Sequence, residues 1–163
     1  MLILGLDPGT ATTGYGFVRE LDDGSLEAVA YGVITTSPKD TMPQRLRQLY
    51  EALVDLVDSY QPDAAAVEQL FFSKNVTTAI SVAQGRGVLL LALANANLPI
   101  REYKPNTVKQ AIAGYGGARK AQMQEMVRAL LAMDHIPQPD DAADALAVAI
   151  TDLNTSQFER LME

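Results

Sequence analysis

The chain has 163 residues, 48% of them hydrophobic, a formal net charge of −7 and no cysteine. The length suits one domain with a sizeable core, and the missing cysteine excludes a disulfide framework or a Cys-based zinc site. The N-terminus carries no basic region followed by an apolar signal segment, so a cytoplasmic protein is expected. The most apolar run, 88–94, is too short for a membrane span, and no membrane partner is expected.

The acidic total argues at first against a nucleic-acid partner, but the charge is unevenly spread. Residues 74–128 hold eight basic residues, Lys74, Arg86, Arg101, Lys104, Lys109, Arg119, Lys120 and Arg128, against only Glu102 and Glu125, a local net charge of +6. The remainder carries −13, from five basic and eighteen acidic residues. One basic sector on an acidic body is the trace a polyanion-binding face leaves in a sequence. The bland alternative is charge scattered over solvated helices.

In chain order, the apolar run before Asp7, closed by Pro8 and Gly9, predicts a buried strand ending at a turn. A second strand is expected over 15–21, a hairpin turn at Asp22, Asp23, Gly24 and Ser25, and a third strand over 26–35. Pro43 opens a helix to Tyr60 with Leu46, Leu49, Leu53, Leu56 and Val57 at helical spacing, and Pro62 stops it. A short strand over 64–67 ends in Glu68, and a loop runs through Gln69, Leu70, Phe71, Phe72, Ser73 and Lys74. The helix that follows, 76–96, is apolar on more than one face, the pattern of a helix central to a core or shared with a partner. A fifth strand over 99–103, a helix over 105–113, a joint at Gly114, Gly116 and Gly117, and a helix over 119–133 come next. Pro137 and Pro139 precede a last helix over 140–154. The expected architecture is α/β, a five-stranded mixed sheet flanked by helices, in one domain over 1–155 with a tail over 156–163.

Acidic residues recur at the ends of these elements. Asp7 and Glu68 close strands, and Asp141 and Asp144, three apart, share one helix face beside the apolar run that holds Leu146, Val148 and Ile150. Asp140 is the expected N-cap. Asp7 alone reads equally well as a turn-capping residue, and Asp140 and Asp141 as caps that offset the helix dipole. An acid beside a buried stripe, such as Asp144, needs a partner. Four carboxylates from three elements, without Cys or a convergent His, describe an oxygen-ligand site for Mg²⁺ or Mn²⁺ of the two-metal kind. His135 reads as a loop residue.

The stretches LGLDPGTATTGYG, AAAVEQLFFSKN, SVAQGRGVLLLA and DDAADALAVAI together resemble the RuvC family of Holliday junction endonucleases of bacterial recombination, in order and spacing along nearly the whole chain. The resemblance implies an RNase H-like fold. It also implies a homodimer that nicks opposite strands of four-way junction DNA, leaving 5′-phosphate and 3′-hydroxyl ends, in assembly with the RuvA and RuvB branch-migration proteins. Asp7, Glu68, Asp141 and Asp144 match the family's metal-binding acids, and some members carry His where Asp141 stands. Lys109 and Lys120 match lysines that support DNA contact and cleavage, with Lys74, Arg86 and Arg119 as further expected DNA contacts. Phe71 matches an aromatic that acts near the crossover, with Phe72 an alternative. The helix around Arg86 matches the dimer contact.

Three rivals are weighed against this reading. LDPGT with Gly14 and Gly16 also resembles the first phosphate loop of sugar-kinase and actin-like ATPases, but the chain is too short for their second domain. A YqgF-type resolvase shares the first strand motif, while VEQ and DAADALA favour RuvC. A catalytically silent junction-binding module would not need all four acids.

Overall fold

The computed structural model describes residues 1–9, 11–70 and 76–163. Strands β1 (Leu2–Asp7), β2 (Thr12–Glu20) and β3 (Leu26–Thr35) form an antiparallel meander. Strands β4 (Ala64–Glu68) and β5 (Ile100–Tyr103) add in parallel on the other side of β1, giving the order β3-β2-β1-β4-β5. Helices α1 (Met42–Tyr60), α2 (Val76–Asn95), α3 (Pro105–Ala113), α4 (Lys120–Leu130) and α5 (Asp140–Met162) complete the chain. This is the expected α/β fold with a mixed five-stranded sheet flanked by helices.

Side chains alternate across a strand, so each strand divides its residues between two layers. Leu2, Leu4 and Leu6 of β1 pack with Ala65 and Val67 of β4 against Leu49, Leu53, Leu89 and Leu93 of α1 and α2. Ile3 and Ala66 face the other way, with Val108, Val127, Leu146 and Ile150 of α3, α4 and α5. Leu4, Leu6, Leu53 and Leu146 are fully buried, each contributing about 2 kcal/mol of transfer free energy. The same alternation sends Asp7 and Glu68, one step beyond Leu6 and Val67, to the α5 side. The register that pairs Leu6 with Val67 makes the two acids neighbours at adjacent strand ends.

Helix α5 is buried almost all round from Ala142 to Leu153 and lies directly on β1 and β2. Gly5 and Gly14 make that approach possible. A Cβ on Gly5 would overlap the Ala145 carbonyl oxygen, and one on Gly14 the Asp141 carbonyl oxygen. Gly14 also sits opposite Asp7 in the β1–β2 ladder. Gly5 and Gly14 are therefore the contact that brings the start of α5 down beside Asp7.

Several boundaries differ from expectation, mostly by one residue. β2 begins at Thr12 rather than Tyr15, because Thr12, Thr13 and Gly14 already pair with β3, and Gly14 lies under α5. α4 stops at Leu130 rather than Met133, where Leu131 caps it and Ala132 turns at φ 51°. Pro139, not Asp140, occupies the N-cap of α5, and Asp140 is the first helical residue. α5 runs on to Met162 rather than ending at residue 154, so residues 156–162 of the expected tail are helix. Tertiary bonds hold that extension: Arg101 donates to Ser156 and Glu159, and Gln157 and Arg160 donate to Glu20.

The apolar stretch noted at 88–94 belongs to a longer element. α2, at 20 residues, is by length and composition alone long and apolar enough to cross a membrane. Its inner face, Ala79, Gly85, Leu89, Ala92 and Leu93, is buried. Its outer face leaves Ile80 57% and Leu91 55% exposed, with Gln84 and Gly87 on the same stripe.

Candidate functional site

Three elements meet at the C-terminal edge of β1. Asp7, Asp141 and Asp144 each offer a carboxylate oxygen, and the three lie within 4.8 Å of one another. Glu68, next door on β4, hydrogen-bonds Asp7. The four acids expected to converge do so as a triad with Glu68 against one of its members. All donors are oxygens, the set that Mg²⁺ and Mn²⁺ take, and the triad is tight enough for one ion to bridge. Asp141 stands in the first turn of α5, where the positive end of the helix dipole favours negative charge.

The electrostatics follow from this crowding. The Asp7 carboxyl is pushed up to about 9, first by burial, then by the Glu68 hydrogen bond and charge, then by Asp144 and Asp141. Asp144 is pushed up to about 6, mainly by burial, with Lys120 opposing and Glu68 and Asp141 adding to the rise. Like charges held this close in a partly dry site keep a proton unless a cation compensates them.

Two cavities flank the acids. One of about 250 Å³ is lined by Glu68 and Asp144 together with Lys109 and Lys120. The Lys120 ammonium sits 2.8 Å from Asp140, whose other oxygen accepts from Gln124 at 2.9 Å. Asp140, expected as a cap, instead tethers the lysine beside Asp144. Lys109 is half-buried on α3, and Arg119 is exposed at the start of α4. The second cavity, about 200 Å³, is lined by Asp7, Glu68, Gln69, Arg86 and Pro105 among others.

The basic sector is smaller than its sequence count. Arg101 bonds α5, Arg128 pairs with Glu125 at 2.6 Å and donates to the Met133 carbonyl, and Arg86 pairs with Glu102 at 2.6 Å. Arg86 was expected as a DNA contact, but its side chain is only 16% exposed and reaches inward, with Nε 3.4 Å from the Glu68 carbonyl oxygen. Strand alternation carries the signal for these pairings: Arg101 and Tyr103 face α5, and Glu102 between them faces α2. His135 is an exposed loop residue, as expected. Phe71, Phe72 and Lys74 lie outside the described residues.

A second acidic position was not anticipated. Asp152, two turns beyond Asp144 on α5, is 2% exposed and accepts from the Tyr103 hydroxyl at 2.7 Å, with Arg101 3.7 Å away.

The chain matches the family model described as crossover junction endodeoxyribonuclease RuvC over residues 3–152. It is 59% identical to the crossover junction endodeoxyribonuclease RuvC of Chloroflexus aggregans over 150 residues, covering 92% of this chain and 91% of that protein. With the Syntrophomonas wolfei protein of the same description it shares 50% identity over 163 residues, covering 100% of this chain and 94% of that one. Among solved structures, Thermus thermophilus RuvC in complex with a Holliday junction substrate superimposes with a TM-score of 0.92 at 32% identity, covering 98% of this chain and 96% of that chain. The chain belongs to the RuvC family of crossover junction endodeoxyribonucleases.

Proposed function

We propose that this chain is a divalent-metal-dependent endodeoxyribonuclease that resolves Holliday junctions by paired nicks in opposite strands. The observation that carries the reading is the meeting of Asp7, Asp141 and Asp144 within 4.8 Å, with Glu68 against Asp7 and two lysines lining the adjoining cavity. Asp7, Glu68, Asp141 and Asp144 would hold the metal. When bound, a pair of Mg²⁺ ions, or Mn²⁺ in their place, supplies a nucleophilic water at neutral pH and neutralises charge at the leaving oxygen. The chain's own part is to fix the carboxylates on rigid elements and to present Lys109 and Lys120, which line the adjoining cavity, to DNA phosphates. Hydrolysis then leaves a 5′-phosphate and a 3′-hydroxyl. Arg119 extends the cationic rim, and Phe71 or Phe72 is assigned to stacking near the crossover on the family resemblance.

Two symmetric cuts need two active sites. The outer stripe of α2, with Ile80, Gln84, Gly87 and Leu91 each one turn from the next, is the surface we assign to a second copy of the chain. Leu91→Glu should shift the protein to monomer in sedimentation velocity, and an unaffected dimer would move the interface elsewhere. On the family resemblance the homodimer works in the cytoplasm with RuvA and RuvB.

The test is incubation of the protein with a labelled four-way junction and a matched linear duplex, with Mg²⁺, Mn²⁺ or chelator. Symmetric nicks on the junction alone, abolished by chelator, are expected. Equal cutting of the duplex, or nicks that survive chelation, would overturn the reading.

A further inference from the structure

Of the four acids, Glu68 is the one outside the three-carboxylate group, and it is placed by the backbone at the end of β4. Two bonds hold that backbone. The Gln69 N–H donates to the Tyr103 carbonyl at 2.8 Å, which locks the end of β4 to the end of β5. The second bond comes from the opposite layer, where Arg86 of α2 donates from Nε to the Glu68 carbonyl at 3.4 Å and from Nη2 to Glu102 of β5 at 2.6 Å. One guanidinium thus ties α2, β4 and β5 together at the point where Glu68 leaves the sheet. Its fork of donors in a fixed plane suits this double attachment, and a lysine would supply only a point charge. The Arg86 side chain is 16% exposed, whereas Glu102 is 39% exposed, so the guanidinium is held inside the layer while its anchor reaches solvent. Arg86 also lines the cavity that contains Asp7 and Glu68.

We propose that Arg86, anchored by Glu102, is a positioning residue that sets the placement of Glu68 in the acidic site, and not a DNA contact. The inference rests on the metal-binding role assigned above. Groups that orient a metal ligand from behind typically change metal affinity by ~10–100-fold when removed. Arg86→Ala is therefore expected to weaken Mn²⁺ binding by about tenfold in DNA-free protein, and to raise the Mg²⁺ concentration for half-maximal nicking in parallel. Junction affinity in Ca²⁺ and its salt slope should stay at the wild-type values, because no phosphate contact is lost.

Glu102→Gln keeps the size and an acceptor, removes the charge that anchors the guanidinium, and lies outside the acidic site. It should move Mn²⁺ affinity in the same direction by less. Arg86→Ala/Glu102→Gln should be no worse than Arg86→Ala, since both remove one arrangement. Additive losses in the double variant would overturn the linked roles.

The measurement is calorimetric Mn²⁺ titration of the DNA-free full chain, with junction binding in Ca²⁺ alongside. Wild-type Mn²⁺ affinity in both single variants would overturn the positioning role while leaving the metal site intact. Weakened junction binding with normal Mn²⁺ affinity would make Arg86 a DNA contact and also overturn it. A wild-type protein that binds no Mn²⁺ would instead overturn the metal site, and this inference with it.

Discussion

Helix α5 carries two acidic positions on its sheet side, and they are handled in opposite ways. Around Asp144, the neighbours Asp7, Glu68 and Asp141 are all acids, and Lys120, the nearby cation, is itself paired with Asp140. Around Asp152, a hydroxyl from Tyr103 and a guanidinium from Arg101 satisfy the carboxylate. Asp152 is raised by burial, with Tyr103 and Arg101 pulling it back down. Asp7 is raised by burial and then by every acid around it. A buried acid with its own donors is a structural tie between α5 and the edge strand. Acids that meet without enough positive charge hold a proton or take up a cation from outside the chain. Burial alone does not separate the two roles; the partners do.

Breaking each region should therefore have opposite consequences. The largest expected effect is on catalysis: Asp7→Asn should lower the nicking rate by at least about a thousandfold, some 4 kcal/mol of transition-state stabilisation, with junction binding retained. Nicking at the normal rate would detach Asp7 from the metal. Asp152→Ala should do the reverse. It leaves the buried Tyr103 hydroxyl without its acceptor, which costs about 2 kcal/mol, or roughly 4–8 °C in Tm at this length. Nicking per folded molecule should be unchanged, and a selective loss of activity would make Asp152 part of the site.

The third prediction concerns pH. Asp7 and Asp144 are raised from the ordinary 3.8 to about 9 and about 6. A folded pKa above the unfolded one contributes stability that is full below about pH 4 and fades as pH rises through the folded value. In metal-free protein the Asp144 contribution should be lost by about pH 6 and that of Asp7 by about pH 9. Asp7→Asn should remove the Asp7 part of this decline and raise the metal-free Tm at pH 8 by about 3 °C or more, as relief of roughly 1 kcal/mol would. Parallel Tm–pH curves for wild type and variant would contradict the crowding.

The smallest effects belong to the rim. Lys109→Ala and Lys120→Ala should each reduce the salt slope of junction binding by about one, with modest loss of affinity. A slope that does not move would place the DNA on another face.

Much of this arrangement was legible in the sequence. Asp7 and Glu68 stand out because a carboxylate ends an apolar run, and the Asp141–Asp144 spacing puts both on one helix face. What local patterns do not reveal is which layer a neighbour occupies. Gly14 looked like part of a loop because its role is to admit the α5 backbone, a requirement set by a residue more than a hundred positions away. The end of α5 is not legible in the sequence because the polar residues 154–157 carry no helical periodicity. Arg101 and Glu20 hold that segment across the fold. The charge count of the +6 sector does not reveal that three of its arginines are ion-paired within the fold.

The claim that the acids around Asp7 form a cation site is tested most directly by Mn²⁺ titration of DNA-free wild type, Asp7→Asn and Asp152→Asn, with proton release followed in two buffers. Wild type and Asp152→Asn should bind alike and release a proton as the site is neutralised, while Asp7→Asn should lose both the binding and the proton. Equal Mn²⁺ binding by Asp7→Asn and wild type would contradict the account.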